Sequence, residues 1–80
     1  MEFYNEFIFV NCEQIRFKKD GVEKCFYKLT LKNNNNIFVF NFKENVNLEL
    51  GDKICCKFLI TQKLYENRYI SNISLVEVDY

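Results

Sequence analysis

The sequence contains no histidine, tryptophan, proline or alanine, only two glycines, and only two arginines, Arg16 and Arg68. Without histidine the chain lacks the commonest general base and the usual imidazole metal ligand, which removes most hydrolase arrangements built on a His-activated nucleophile. Carboxylate pairs can be chosen from the sequence, but none stands out from ordinary surface charge. An enzyme is not expected, and no cofactor is implied. The cysteines Cys12, Cys25, Cys55 and Cys56 form no Cys-x-x-Cys pair, and there is no histidine to complete a zinc tetrahedron. Neighbours on a strand point to opposite faces, so Cys55 and Cys56 are poorly placed to share a ligand or bond each other. All four thiols read as small apolar residues in a reducing compartment. The N-terminus has no cationic stretch ahead of an apolar run, and no apolar run approaches the roughly 20 residues that span a bilayer. A cytoplasmic protein with no membrane partner is expected.

Asparagine, lysine, phenylalanine and isoleucine are plentiful in their place. This is the bias of AT-rich coding, so the run Asn33 to Asn36 carries little functional weight by itself. Eighty residues make a single domain, residues 1–80. A chain of this size removes only about 60% of its surface from water on folding, and dimerisation would supplement so modest a core.

Apolar residues alternate with polar ones along most of the chain, the period of β-strands. Phe7-Ile8-Phe9-Val10 opens a first strand that continues to Ile15-Arg16-Phe17, and a change of apolar parity places a bulge near Glu13 and Gln14. Asp20-Gly21 suits the positive backbone angles of a two-residue hairpin turn. The second strand, Val22 to Leu31, sets Cys25, Tyr27, Leu29 and Leu31 on a face that reads as core, and Lys24, Phe26, Lys28 and Thr30 on the other. Lys32 and Asn33 to Asn36 read as a polar loop. Ile37 to Phe42 is a third strand, apolar on both faces through Phe40, which leaves open whether Phe38, Phe40 and Phe42 are core, dimer face or exposed rings. Lys43 to Asp52 is too short for a long helix, and Gly51-Asp52 turns into a fourth strand, Lys53 to about Leu64. Tyr65 to Arg68 is a hairpin loop, and Tyr69 to Val78 is the fifth strand. The expected class is all-β: a small five-stranded antiparallel barrel, since closure removes exposed strand edges.

Formal net charge is zero, yet its distribution is uneven. Residues 1–15 hold Glu2, Glu6 and Glu13 and no cation, and residues 69–80 hold Glu77 and Asp79 and no cation. All eleven cations therefore lie in residues 16–68 against six anions, a net +5. Lys24, Phe26 and Lys28 share the outer face of the second strand, and Lys53, Lys57 and Lys63 share one face of the fourth. Cations interleaved with a ring suit single-stranded nucleic acid, whose phosphates meet ammonium groups while bases of any identity stack. Lys18, Lys19, Tyr65, Arg68 and Tyr69 extend the pattern. Each part also has an ordinary explanation: alternate lysines solvate a strand and protect its edge, and Phe26, Tyr65 and Tyr69 serve equally to cover hydrophobic surface, a subunit face or a turn.

The order of a long first strand, Phe26-Tyr27-Lys28-Leu29-Thr30-Leu31, a polar loop, Val46-Asn47-Leu48-Glu49-Leu50-Gly51-Asp52-Lys53-Ile54, a long strand and Asn67-Arg68-Tyr69-Ile70 resembles OB-fold single-stranded DNA-binding proteins of phages. Among these it looks like the gene V type helix-destabilising family. The resemblance implies an OB-fold-like barrel that binds single strands without sequence preference, commonly as a cooperative homodimer. It carries Phe26 and Lys28, and Arg68 and Tyr69 of the last hairpin, onto the binding surface. The expectation from the sequence is therefore a non-catalytic single-stranded DNA-binding protein of phage, plasmid or host replication. Its site is Lys24, Phe26, Lys28, Lys57, Lys63, Tyr65, Arg68 and Tyr69, and its acidic termini are available to a protein partner. The alternatives are a protein-interaction barrel, such as an inhibitor or assembly subunit of a mobile element, and an RNA-binding barrel.

Overall fold

A computed structural model describes all 80 residues. Five strands follow one another: β1 (Glu2–Lys19), β2 (Val22–Asn33), β3 (Asn36–Phe42), β4 (Lys53–Tyr65) and β5 (Arg68–Asp79). They form one antiparallel sheet in the order β3-β2-β1-β4-β5. The all-β, five-stranded expectation holds, with no helix anywhere in the chain.

β1 organises the sheet because it serves two partners. Its first half pairs with β4 from Glu2–Leu59 to Ile8–Lys53. Its second half pairs with β2 from Ile8–Lys32 to Lys19–Val22. At about 3.3 Å per residue an 18-residue strand would run roughly 55–60 Å if straight, longer than the 43 Å extent of the molecule along its longest principal axis. The irregularity of the strand is at Val10, the unpaired residue between the Phe9 and Asn11 positions of the β1–β2 ladder. The bulge expected near Glu13 and Gln14 thus lies at Val10, where the strand changes partners and a bulge supplies the bend. There the β4 side is continued by the loop: the Phe9 N–H donates to the Asp52 carbonyl at 2.7 Å, and the Gly51 N–H to the Phe9 carbonyl at 3.0 Å. Gly51 has φ +96°, a conformation that other residues adopt at a cost.

Two of the three hairpin turns are shorter than the sequence pattern implied. Asp20 and Gly21, both with positive φ (54° and 77°), form the expected two-residue connection. Only Asn34 and Asn35 turn between β2 and β3, because Asn33 and Asn36 already pair across the ladder. Tyr65 and Arg68 likewise close the last ladder, leaving Glu66 and Asn67 in the turn.

The core is small. Phe7 and Phe9 of β1, Leu29 and Leu31 of β2, and Ile54, Cys56 and Phe58 of β4 are buried, joined by Phe42 of β3 and by Val46 from the β3–β4 connection. The inward face of β3 is therefore the phenylalanine face, and Ile37 and Val39 point outward. β5 places no residue fully inside; Leu75 and Val78 only pack against the cluster. Cys25 and Tyr27 keep the inward parity of Leu29 and Leu31 but leave the core, Cys25 exposed and Tyr27 half-buried, because no third layer reaches that far along the hairpin. Of the cysteines only Cys56 is core; Cys12 packs against the edge of the core, and Cys25 and Cys55 are exposed. Burial pushes the Cys56 thiol up to about 12, with the neighbouring Cys55 adding to the shift.

Only nine of the 80 residues are buried, and the rest of the sheet extends beyond them as two hairpin arms. One is the far half of β1–β2, the other the far half of β4–β5. The radius of gyration, 14.6 Å, exceeds the roughly 12 Å of a compact chain this long. Closure is incomplete as well. β3 and β5, parallel to each other by the ladder directions, approach within 8 Å (Cα–Cα), yet no hydrogen-bonded ladder joins them. The expected barrel is a curled sheet with an open seam.

Candidate nucleic-acid interface

The sheet has an inner face that carries the core and an outer face that does not. Lys24, Phe26 and Lys28 lie on the outer face, where strand alternation and the two-residue turn put them. Their partners across β1 are Phe17, Ile15 and Glu13. The Phe17 and Phe26 rings stand 5.9 Å apart at 57°, so the ring expected on this face is a pair. Lys32 continues the row, opposite Ile8 on one side and Ile37 on the other. None of Lys24, Lys28 and Lys32 is in a salt bridge, since the one salt bridge of the molecule lies elsewhere. Phe17 escaped the sequence reading of the site, although counting back from Asp20-Gly21 pairs it with Lys24.

Lys57 stands apart from this row. Its ammonium lies 3.2 Å from a Glu2 carboxylate oxygen and 5.8 Å from the centre of the Tyr4 ring, with Glu77 as its partner on β5. The hydrogen bond and charge of Glu2, then Tyr4 and Glu77, hold its pKa above the ordinary lysine value. The two acidic ends of the chain meet here: β1 brings Glu2 and Glu6 to one side of β4, and β5 brings Glu77 and Asp79 to the other. Lys57 neutralises part of that patch, and carboxylates repel a phosphate chain. It is a poor anchor for nucleic acid.

The second arm splits its candidates between faces. Tyr65 and Arg68 are cross-strand partners on the outer face, and Lys63, opposite Ile70, lies on the same side. Tyr69 pairs with Leu64 on the inner face. Tyr65 and Tyr69 are both well exposed, but they point to opposite sides and do not serve one stacking surface together. The acidic patch of β1, β4 and β5 lies between this group and the Phe17–Phe26 group.

A further feature lies on the inner face, beside the β2–β3 turn. Five phenylalanine rings cluster here: Phe3 stacks on Phe58 at 5.1 Å, Phe40 lies 4.9 Å and Phe7 5.8 Å from it, and Phe38 sits edge-on to Phe7 at 5.8 Å. Against them opens a cleft of about 340 Å³ whose rim is Asn5, Asn33, Asn36 and Ile73. No charged side chain lines it. The sequence reading had left the faces of β3 undecided and so gave no sign of it.

These features define a small all-β sheet protein with a basic, ring-bearing outer face and an acidic patch made by its two termini. No known protein family, curated protein or solved structure matches the chain. No helix of the structure is long and apolar enough to cross a membrane, and no group of three or more potential ligands stands ready to hold a metal ion.

Proposed function

We propose that the protein is a non-catalytic, sequence-tolerant single-stranded DNA-binding protein serving the replication of a phage, plasmid or host genome, and that it works as a homodimer. One observation carries the reading: Lys24, Lys28 and Lys32 bracket Phe26 on one strand face, and no carboxylate engages their ammonium groups. Free ammonium groups neutralise phosphates, and a ring pair between them offers a stacking surface that every base fits. Duplex nucleic acid hides its base faces, so the rings favour an unpaired strand. The acidic patch confines the strand to the β1–β2–β3 half. A core of nine residues and exposed apolar side chains on β5 support self-association.

A salt titration against labelled thymidine oligomer, duplex DNA and RNA, side by side, tests this. Tightest binding to the single DNA strand is expected, with a log–log salt slope near −0.7 per phosphate contacted and so about −2 for three lysines. No measurable binding at low salt overturns the proposal; equal, weak binding to all three reduces the lysines to solvated surface. A preference for RNA moves the reading to an RNA-binding barrel.

A second reading, a protein-interaction module such as an inhibitor or assembly subunit of a mobile element, is favoured by the β4–β5 arm, where Leu64, Tyr69, Ile70 and Ile73 are exposed. It requires a stable protein complex and indifference to oligonucleotides.

A further inference from the structure

We infer that the phenylalanine cleft beside the β2–β3 turn seats one unstacked nucleobase of the strand bound along β2. This rests on the single-strand reading above and adds a base site to it. The lining has the chemistry of a base site. Phe38 is 40% exposed and lies nearly parallel to Phe40, at 12° and 6.2 Å between centres, so a flat ring entering the cleft meets aromatic faces. The cavity, about 340 Å³, is at the small end of ligand pockets, which begin near 300 Å³, and admits one heterocycle. The rim complements it. Asn33 donates to the Glu6 carbonyl at 3.3 Å, and the Asn5 side-chain oxygen accepts from the Glu6 N–H. The amide NH2 of Asn5, the carbonyl of Asn33 and both ends of Asn36 remain for a ligand, an uncharged set of donors and acceptors that suits the polar edge of a base.

The cations lead to the same place. The lysine row runs up β2 to Lys32 and ends next to Asn33 at the mouth of the cleft. Across β1, on the far side of Ile8, the outer face still offers Lys53, but beyond Lys32 in the direction of the row lies Glu6, where the acidic patch begins. The inner side of the same turn offers an uncharged, aromatic-lined opening. A strand that turns inward at Lys32 keeps its last phosphate on that ammonium and delivers the next base to Phe38.

The test is a set of thymidine oligomers carrying one abasic site moved stepwise along the strand, bound to the wild type and to Phe38→Ala. Expected is a single position where the missing base weakens wild-type binding roughly tenfold. At that position Phe38→Ala, already weakened by a similar factor on the intact oligomer, loses no more, the signature of a direct contact in a double-mutant cycle. Asn36→Ala, at an exposed turn-side position, repeats the cycle should Phe38→Ala fail to fold as judged by circular dichroism. Ring proton resonances of Phe38 and Phe40 should shift with added oligomer at constant protein concentration. Additive losses at every position overturn the base seat while leaving strand binding intact. Ring shifts that follow protein concentration instead overturn it in favour of a second copy of the chain in the cleft. Failure to bind any oligomer overturns both this and the reading beneath it.

Discussion

The body of the molecule and its two arms are made from the same strands, yet different forces hold them. In the body, β1, β2 and β4 bury Phe7, Leu29, Leu31, Ile54 and Phe58 from both sides of β1, and nearly all hydrophobic stabilisation resides there. In the arms the backbone ladder continues but the third layer stops. Pairs such as Phe17–Phe26 and Tyr65–Arg68 stand on two-stranded ribbons that would be marginal alone in water. The contrast separates roles: the body supplies cooperativity, and the arms carry rings and cations beyond it. A ring that stacks on a base needs an open face, and on the arms Phe17, Tyr65 and Tyr69 are exposed while Phe26 is half-buried against Phe17.

Five experiments break or sharpen this contrast. Phe58→Ala removes the ring on which Phe3, Phe7 and Phe40 converge and should cost about 3–5 kcal/mol in chemical denaturation, enough to unfold a chain of this size. Alkaline titration comes next. The Cys56 thiol stays protonated in the fold up to about 12, whereas in the unfolded chain it ionises from its ordinary value; stability is whole below that value and falls as pH rises from about 9 to about 12. That slope should shrink in Cys56→Val, leaving the smaller part that the raised Lys57 pKa contributes, and iodoacetamide should label native Cys25 and Cys55 but spare Cys56. On the first arm the order of effects reverses: Phe26→Ala should weaken strand binding by about 1–3 kcal/mol and leave the denaturation midpoint nearly unmoved. A large stability loss there would make the arm part of the core. Gly21→Ala meets no atom within 4 Å but must adopt φ +77°, a strain of about 1 kcal/mol, read as faster amide exchange confined to β1–β2. Smallest of all, Glu2→Gln breaks an exposed pair worth about 0–1 kcal/mol; strand affinity should hold or rise slightly, and a clear fall would place Lys57 back on the binding surface.

Much of the body was legible because hairpin turns and alternation act locally. Asp20-Gly21 fixed the β1–β2 register, and the parity of Leu29 and Leu31 marked the inner face of β2. Alternation reports which side a residue faces, not whether anything covers that side, so Cys25 and Tyr27 read as core although the sheet there is bare. The bend at Val10 was misplaced because it answers to a change of partner, which only the assembled sheet decides. Lys57 read as a phosphate contact because its carboxylate, Glu2, comes from the other end of the chain. The Phe17–Phe26 pair was available from the turn by counting, whereas the cleft needed three strands and a turn to meet.

The seam between β3 and β5 gives the sheet a mechanical freedom that a closed barrel lacks. Every backbone ladder can remain intact while the two edges move together or apart, because side chains alone bridge the gap. Curvature becomes adjustable at little enthalpic loss, and the amides of β3 that face the gap should exchange with solvent long before those of β1, which is laddered on both flanks.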